Sequence, residues 1–348
     1  MKKLLLLLTV VVMIFAACGK DEENQQPISG VPNNEIWYQT QSDFIASLTT
    51  EALTNANLIL HTYKDGIGKI AFDNDVTDIA ANAFDGLSTI THIQLPGCLR
   101  TIGEYAFRGC EGLISVDMSE NVKWIEYGAF YNCVGLTNID LPESLTSIGD
   151  SAFLGCSGLI NIDLPEGLTV IGRSTFRGCE GLTSIDLPES LVSIHQGAFN
   201  GCTGLKSIIL PKNVEDICDY AFYGCTGLTD IQLQEGVTWI GHSAFYNCAN
   251  LTAVTLSKSL TKILPYAFYG CSSLVSINLP ASLQLIGEYA FLGCTDLMSI
   301  YCRSVTPPKL MKGIGVMATV YVPREALPAY QSAAFWSDMK LVGYDFGN

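Results

Sequence analysis

The feature of this chain that most constrains its fold is a cysteine that recurs every 23 residues. The members of this column are Cys110, Cys133, Cys156, Cys179, Cys202, Cys225, Cys248, Cys271 and Cys294. A phenylalanine stands three residues before each cysteine, and a leucine stands three residues after it. A fixed period of about 20 to 50 residues is the signature of a repeat protein whose units stack on one another. The sequence therefore predicts a solenoid with one 23-residue unit per coil.

Each unit contains two short hydrophobic segments. In one unit Ile185 and Leu187 alternate with polar residues ahead of Pro188, which indicates a strand with two inward side chains. Proline cannot donate to a strand ladder, so the strand is expected to end there. A second Leu-x-x-Ile segment returns the chain along the opposite side. Because 23 residues leave little room for a full helix, the Ala-Phe segment is expected to form a single helical or 3₁₀ turn.

The repeated unit resembles a leucine-rich repeat, and its Ala-Phe pair ahead of Gly-Cys is similar to the unit of BspA-like bacterial surface proteins. The resemblance covers residues 67–322 and implies a horseshoe-like, mostly β solenoid with parallel strands. It also implies a surface adhesin or host-interaction protein, whose repeats bind extracellular matrix proteins or other cells. The chain departs from the common pattern because a cysteine column takes the place of an asparagine ladder.

The pattern divides the chain into five segments. They are a lipoprotein signal peptide over residues 1–17, a lipidated flexible tether over 18–35, an N-terminal cap over 36–66, the leucine-rich-repeat solenoid over 67–322 and a C-terminal cap over 323–348. The ends of a solenoid must hide their core from water. We expect a short helix over residues 324–339 to cover the last coil, with Phe335 and Trp336 as its anchors.

The first residues have the layout of an export signal. Lys2 and Lys3 precede an uninterrupted apolar run of 14 residues, which is shorter than the roughly 17 to 25 that span a bilayer as a helix. Residues 15–18 resemble the lipobox of bacterial lipoproteins, which implies lipid attachment at Cys18. Residues 20–23 resemble a tag that exports lipoproteins to the outside of the outer membrane. We therefore predict a lipid-anchored protein of the cell surface, with ordinary secretion as the alternative.

The charge of the chain limits its partners. The net charge is −15, and cleavage before Cys18 would leave 17 basic against 34 acidic residues. Such a chain repels nucleic acid and anionic lipid, so we expect no nucleic-acid partner and membrane contact through the lipid anchor only. A partner selected by charge would be cationic, either a metal ion or a basic protein patch.

One outward column carries consecutive carboxylates. Its members are Asp117, Asp140, Asp163 and Asp186. They would lie one strand spacing apart, about 4.8 Å, where like charges repel or attract a cation. Calcium takes six to eight oxygen ligands, which these residues could share with Asn138, Asn161 and water. The alternative is a solvated acidic strand face that binds no metal.

A second candidate surface is aromatic. Tyr223, Tyr246 and Tyr269 each follow a core phenylalanine by one residue, and Trp239 occupies another outward column. Exposed aromatic rings offer flat apolar area with a polar tip, which suits a protein or a sugar chain. The alternative is that the tyrosines pack on one another between coils.

Catalysis is not expected. The four near-identical aspartates share one environment, whereas acid–base chemistry needs two carboxylates in different environments. The four histidines share no repeat column, and the sequence has no phosphate-binding loop or zinc-type cysteine spacing. We expect the column cysteines to be buried free thiols, with scattered disulfides or a metal site as alternatives. The sequence thus predicts a binding scaffold without cofactor, for a host matrix or cell-surface protein, or for a glycan captured as a nutrient.

Overall fold

Parallel strands stacked coil on coil form the body of the protein in the computed structural model, which describes residues 30–41 and 53–347. In chain order the strands are β1 (Glu35–Thr40), β2 (Leu58–Lys64), β3 (Ile67–Phe72), β4 (Asp78–Ile79), β5 (Ile90–Gln94), β6 (Thr101–Ile102), β7 (Ser115–Asp117), β8 (Trp124–Ile125), β9 (Ser147–Ile148), β10 (Val170–Ile171), β11 (Ser193–Ile194), β12 (Asp216–Ile217), β13 (Asp230–Gln232), β14 (Trp239–Ile240), β15 (Ala253–Thr255), β16 (Lys262–Ile263), β17 (Ser276–Leu279), β18 (Leu285–Ile286), β19 (Ser299–Cys302), β20 (Lys309–Leu310), β21 (Thr319–Pro323) and β22 (Lys340–Tyr344). A 3₁₀ turn (Arg324–Ala326) and the helix α1 (Leu327–Ser332) lie between β21 and β22.

The strands form two lines, one from each hydrophobic segment of the repeat. The Leu-x-x-Ile segments give a four-stranded sheet in the order β4-β6-β8-β9 and a seven-stranded sheet in the order β10-β11-β12-β14-β16-β18-β20. The Ile-x-Leu segments pair as β5-β7, β13-β15 and β17-β19-β21-β22. Partners lie one repeat apart, as Ile240 and Ile263 do. The predicted solenoid with parallel strands and a 23-residue repeat is confirmed.

The segment around each core phenylalanine is a series of turns without a regular helix. Arg108 N donates to Tyr105 O within its coil at 3.0 Å, and Phe107 N donates to Ala129 O of the next coil at 2.7 Å. Tyr105 and Gly109 have positive φ, 54° and 67°. Because left-handed residues flank the phenylalanine on both sides, the 3₁₀-type hydrogen bonds do not extend into a helix.

The phenylalanines form the predicted core. Phe84, Phe107, Phe130, Phe153, Phe176, Phe199, Phe222, Phe245, Phe268 and Phe291 are fully buried. Neighbouring rings are stacked with centroids 5.1 to 5.6 Å apart. Stacked coils therefore share one continuous aromatic interior, which fixes the position of every outward side chain relative to the next coil.

The cysteine column makes a ladder of hydrogen bonds as well as filling space. Each column thiol donates to the carbonyl oxygen of the phenylalanine one coil back, as Cys133 Sγ does to Phe107 O at 3.0 Å. Every cysteine within the described ranges is a free thiol, in agreement with the sequence analysis. Burial raises the pKa of Cys156 to about 12, which keeps the thiol protonated as a donor.

Antiparallel strands precede the first coil. β1 pairs with β3 on one side and with β5 on the other, and β2 pairs with β3 across the turn at Asp65 and Gly66. Ile36 and Tyr38 of β1 are buried. These strands cover the edge of the parallel sheet at β5, which would otherwise present unpaired backbone groups.

The last coil is covered by α1 and β22. Trp336 is buried and donates through Nε1 to Pro308 O at 2.7 Å, while Tyr330 of α1 packs edge-on against it at 5.1 Å. The C-terminal helix is confirmed but shorter than expected, because the chain returns to the sheet as β22, parallel to β21. The expectation that Phe335 is an anchor is wrong: its side chain is exposed, and Tyr330 takes that role.

Candidate functional site

Three tyrosines form a stacked column on the outside of the solenoid. Tyr223, Tyr246 and Tyr269 lie on consecutive coils, with ring centroids 4.7 Å apart in the first pair and 4.5 Å apart in the second. The rings are nearly parallel and half-buried. Burial and the neighbouring tyrosines raise the pKa of Tyr246, so its hydroxyl stays neutral at physiological pH. The tyrosines thus pack on one another and still present part of each ring to solvent.

A second line of rings runs beside this column. Its members, each in ring contact with the next, are Tyr220, His242, Tyr266 and Tyr289. Tyr220 contacts Tyr223, and Tyr266 contacts Tyr269, both at 6.0 Å between centroids. We call the seven rings together the aromatic face. It is continuous over consecutive coils, because each ring contacts at least one neighbouring ring.

The backbone that positions the second line is strained. Tyr220, Tyr266 and Tyr289 have φ of 58°, 59° and 54°, a region that costs a residue with a side chain about 1 to 3 kcal/mol. Gly128 and Gly197 occupy the same repeat position in other coils without this cost. Ser151, Ser174 and Ser243 have the same conformation at this position, so the left-handed turn belongs to every coil and the tyrosines are placed by it.

Trp239 lies apart from the aromatic face. It is half-buried in β14, where Asp216 and Lys262 are its strand partners. Across the described residues no ring contact joins it to the tyrosines. Of the predicted aromatic residues, the structure brings together Tyr223, Tyr246 and Tyr269 but not Trp239.

The predicted aspartate column is exposed. Asp163 and Asp186 pair through a single parallel bridge, and Asp117 ends β7. Gln94 Nε2 donates to Asp117 Oδ2 at 2.8 Å, and Asn138 Nδ2 donates to Asp140 Oδ1 at 3.1 Å. The carboxylates are thus arranged along successive coils and partly satisfied by neighbouring amides.

A second acidic column, which the sequence analysis missed, runs parallel to the first. Its members follow the strand-ending turn and are Glu120, Glu143, Glu166 and Glu189, all exposed. Asp117, Glu120, Asp140 and Glu143 line one cleft of about 370 Å³. We call these eight carboxylates the acidic face. Comparing the residue three positions after each aspartate between repeats would have revealed the glutamates.

The carboxylates of the acidic face are spread along the coils and do not converge on one point. Among the residues that the structure describes, no group of three or more histidine, cysteine, aspartate or glutamate side chains is placed to hold a metal ion. Calcium needs six to eight oxygens converging on one point. Eight carboxylates spread over four coils are suited instead to an extended cationic surface.

The predicted lipid-attachment residue, Cys18, lies outside the described residues, as does the signal peptide over 1–17. The helical segments within the described ranges are too short and too polar to cross a membrane.

Comparison with known proteins identifies the family. The profile of the BspA type leucine-rich repeat region matches residues 77–206 and 192–307 in 6 copies. The chain therefore belongs to the BspA-type leucine-rich-repeat family, whose members are bacterial surface proteins. Leucine-rich-repeat proteins commonly bind other proteins, and such scaffolds are typically non-enzymatic.

Solved structures of bacterial leucine-rich-repeat proteins are similar to this chain. One from Bacteroides ovatus is 30% identical over 83% of this chain and 90% of its own, with a TM-score of 0.46. One from T. pallidum is 28% identical over 51% of this chain and 73% of its own, with a TM-score of 0.41. A leucine-rich cell surface protein from Faecalibacterium prausnitzii is 24% identical over 84% and 86%, with a TM-score of 0.40. A comparison with curated proteins found no match.

Proposed function

We propose that this protein is a lipid-anchored adhesin of the bacterial outer surface that binds a host matrix or cell-surface protein. It acts as a binding scaffold without catalysis. The observation that carries the proposal is the aromatic face, in which seven rings form a continuous outward surface on a rigid core. Tyrosine is enriched at the energetic centre of protein interfaces because it buries a large area and keeps a polar tip.

Stacking prepares the aromatic face for binding. Tyr246 is held between Tyr223 and Tyr269, so its side chain has already lost most of its rotational freedom in the unbound protein. Immobilising a free side chain at an interface costs about 0.5 to 1.5 kcal/mol, and a stacked ring avoids most of that cost. The aromatic face therefore suits a partner that presents a complementary apolar surface.

The acidic face supports a protein partner with a basic patch. Its carboxylates extend over several coils, with Asp117 and Glu189 at its two ends. Complementary charge raises the association rate more than it raises affinity. The proposed partner would therefore associate more slowly at high salt, while the dissociation rate, set by the aromatic face, changes little.

Anchoring through Cys18 is part of the same proposal. A single attachment residue ahead of a polar tether would hold the solenoid at the surface and leave its faces accessible. Cys18→Ala removes the acceptor sulfur, so the protein should move from the membrane fraction to the soluble fraction. A variant that stays in the membrane fraction and still carries lipid would contradict the anchor.

Binding of the purified protein to immobilised fibronectin, laminin and collagen, measured by surface plasmon resonance, tests the adhesin proposal. Tyr246→Ser removes the central ring of the stack, and we expect at least tenfold weaker binding, about 1.4 kcal/mol. Tyr131→Ser is the matched control, because Tyr131 occupies the same repeat position but makes no ring contact within the described structure. We expect its binding to equal that of the unmodified protein.

Two results would count against the proposal. Equal binding by Tyr246→Ser and the unmodified protein would show that the aromatic face is packing alone. Equal loss of binding in Tyr131→Ser and Tyr246→Ser would show that binding does not depend on the stacked rings.

A further inference from the structure

A cleft of about 620 Å³ opens beside the end of the aromatic face that is nearer to the N-terminus. Ser174 and Gly197 form its floor at the repeat position that Tyr220 fills in the following coil. The cleft forms where small residues at this position meet the first ring of the line, Tyr220, because the four coils from Gly128 to Gly197 carry no ring there. Its volume lies within the range of about 300 to 1,000 Å³ that is typical of small-molecule sites.

The cleft is positively charged in a protein of net charge −15. Arg173 and Arg177 line it, and no carboxylate does. Both side chains are exposed, and within the described residues neither makes an ion pair. Arg108 occupies the same repeat position as Arg177 in an earlier coil, and it forms an ion pair with Asp85. Two unpaired guanidiniums on one coil leave ten donors for an incoming anion, at about five for each arginine.

Two carboxylates of neighbouring coils accept hydrogen bonds from backbone groups. Asp150 Oδ1 accepts the Arg173 N–H at 2.7 Å, and Asp219 Oδ1 accepts the His242 N–H at 2.6 Å. Neither carboxylate lies within ion-pair distance of a guanidinium in the described structure. The arginines are therefore not placed to stabilise this protein's own acids.

Tyr223 lines the cleft, and within the described residues a ring is stacked parallel to it on one side only. Tyr223 is the first member of the tyrosine stack, and Tyr246 covers the face that points toward the C-terminus. The other face looks along the column toward Asn200 and Arg177, which are also cleft residues. It offers a flat apolar surface at one end of the cleft, opposite the charge at the other.

We propose that this cleft binds a carboxylated sugar, with the carboxylate on Arg173 and Arg177 and the sugar ring on the free face of Tyr223. The arginine fork matches a planar carboxylate in bidentate geometry. The amides of Gln196 and Asn200 line the space between and supply donors and acceptors for ring hydroxyls. This site shares Tyr220 and Tyr223 with the aromatic face, but its arginines lie beyond the end of that face, and sugar binding does not depend on the adhesin proposal.

Isothermal titration of the purified full-length protein tests the ligand class. Methyl esterification of trigalacturonic acid removes the charge of its carboxyl groups and keeps the sugar chain, and sialyllactose and its methyl ester form a second such pair. We expect at least one acid to bind at least tenfold more tightly than its neutral counterpart. The pair that shows the difference identifies whether the source is a uronic acid chain or a sialylated glycan.

Ser174→Tyr tests the place of binding without removing a charge. Residue 174 has φ 53°, the same region as Tyr105 at 54°. The Tyr105 ring lies 2.6 Å from where a Cβ on Gly128 would be, so a tyrosine at 174 should cover Gly197 in the same way and fill the cleft. The repeat thus already shows that this exchange can fold. We expect binding of the acid to be lost while the melting temperature is kept.

Arg173→Gln and Arg177→Gln should each weaken binding of the acid at least tenfold and leave any weak binding of the neutral sugar unchanged. Arg108→Gln, at the paired arginine outside the cleft, should have no effect. The proposal is overturned if neither acid binds, if each acid and its neutral counterpart bind equally, or if Ser174→Tyr binds the acid undiminished. Binding of a sulfated oligosaccharide or an acidic peptide in place of both acids would also overturn it.

Discussion

Residue 175 departs from the pattern of its own repeat. The neighbouring coils place Ala152 and Ala198 before the core phenylalanine, whereas this coil has Thr175, which is fully buried. Its Oγ1 has no hydrogen-bond partner among the described residues. A buried hydroxyl without a partner costs about 1 to 3 kcal/mol, because it has lost its hydrogen bonds to water. The position is a local defect in an otherwise satisfied core.

Replacing this hydroxyl by a methyl group of similar shape should stabilise the protein. We expect Thr175→Val to raise the free energy of unfolding by about 1 kcal/mol, measured by urea denaturation. Thr183→Val is the control, since Thr183 is exposed and should change the stability by less than about 0.5 kcal/mol. A less stable Thr175→Val would show that the hydroxyl has a partner after all.

The cysteine ladder explains how neighbouring coils are held together without an asparagine ladder. Cys179 is fully buried and donates to Phe153 O at 3.2 Å, and the same contact recurs at every column cysteine. Thiols are weak donors, so each bond contributes little alone. The ladder gains its effect from the number of copies and from the tight packing of sulfur against the phenylalanine column.

Cys179→Ala should therefore lower the free energy of unfolding by about 1 to 3 kcal/mol, through a small cavity and a lost donor. Cys218→Ala, at a half-buried cysteine outside the column, should cost less than half as much. Urea denaturation of the two variants gives the comparison. Equal losses would show that the column has no special role in packing.

The strands and the core could be predicted from the sequence, because inward residues must repeat when coils stack. Ile277 and Leu279 mark strand β17, and Phe176 marks the core, by hydrophobicity and period alone. The same pattern at Ile185 and Leu187, where a strand is expected, forms only a single bridge at Asp186. The left-handed turn at Gly109 is indicated by its residue type, but the one at Tyr105 is not. Stacking of the coils imposes that conformation against the local preference of tyrosine, so only the folded structure shows it.

The candidate surfaces were predicted in part for the same reason. The column of Tyr223, Tyr246 and Tyr269 could be read from its period. The second line of rings could not, because one coil has Ser243 at the tyrosine position and the ring of His242, one residue earlier, fills the gap. The cleft next to Tyr223 depends on small side chains at Ser174 and Gly197. Small residues give no hydrophobic or charged pattern in a sequence, so the cleft could not be predicted.

At the scale of the whole molecule, a solenoid depends on its ends. Each coil buries its core against the next, and the last one has no partner except the C-terminal segment. Trp336 and Tyr330 fill that place, and the Trp336 indole pairs with Pro308 O. Losing this cover would expose apolar surface on the final coil to water and to other molecules.

Trp336→Ala should lower the melting temperature, with a loss of about 3 to 5 kcal/mol for removing a large buried side chain. Size-exclusion chromatography should also show self-association of this variant. Phe335→Ala is the adjacent control, and we expect almost no change because that ring is exposed. Equal behaviour of the two variants would mean that the C-terminal segment does not cover the core.

The reactivity of the column thiols tests the continuous interior most directly. Burial raises the pKa of Cys110, Cys156, Cys225 and Cys294 to about 12, so these thiols are both inaccessible and protonated. The native protein is treated with N-ethylmaleimide at pH 8, and the modified cysteines are identified by mass spectrometry. We expect slow modification at the half-buried Cys98 and Cys218, and none in the column until urea unfolds the protein. Modification of any column cysteine in the native protein at the rate of a free thiol would contradict the stacked, buried core on which both outward faces rest.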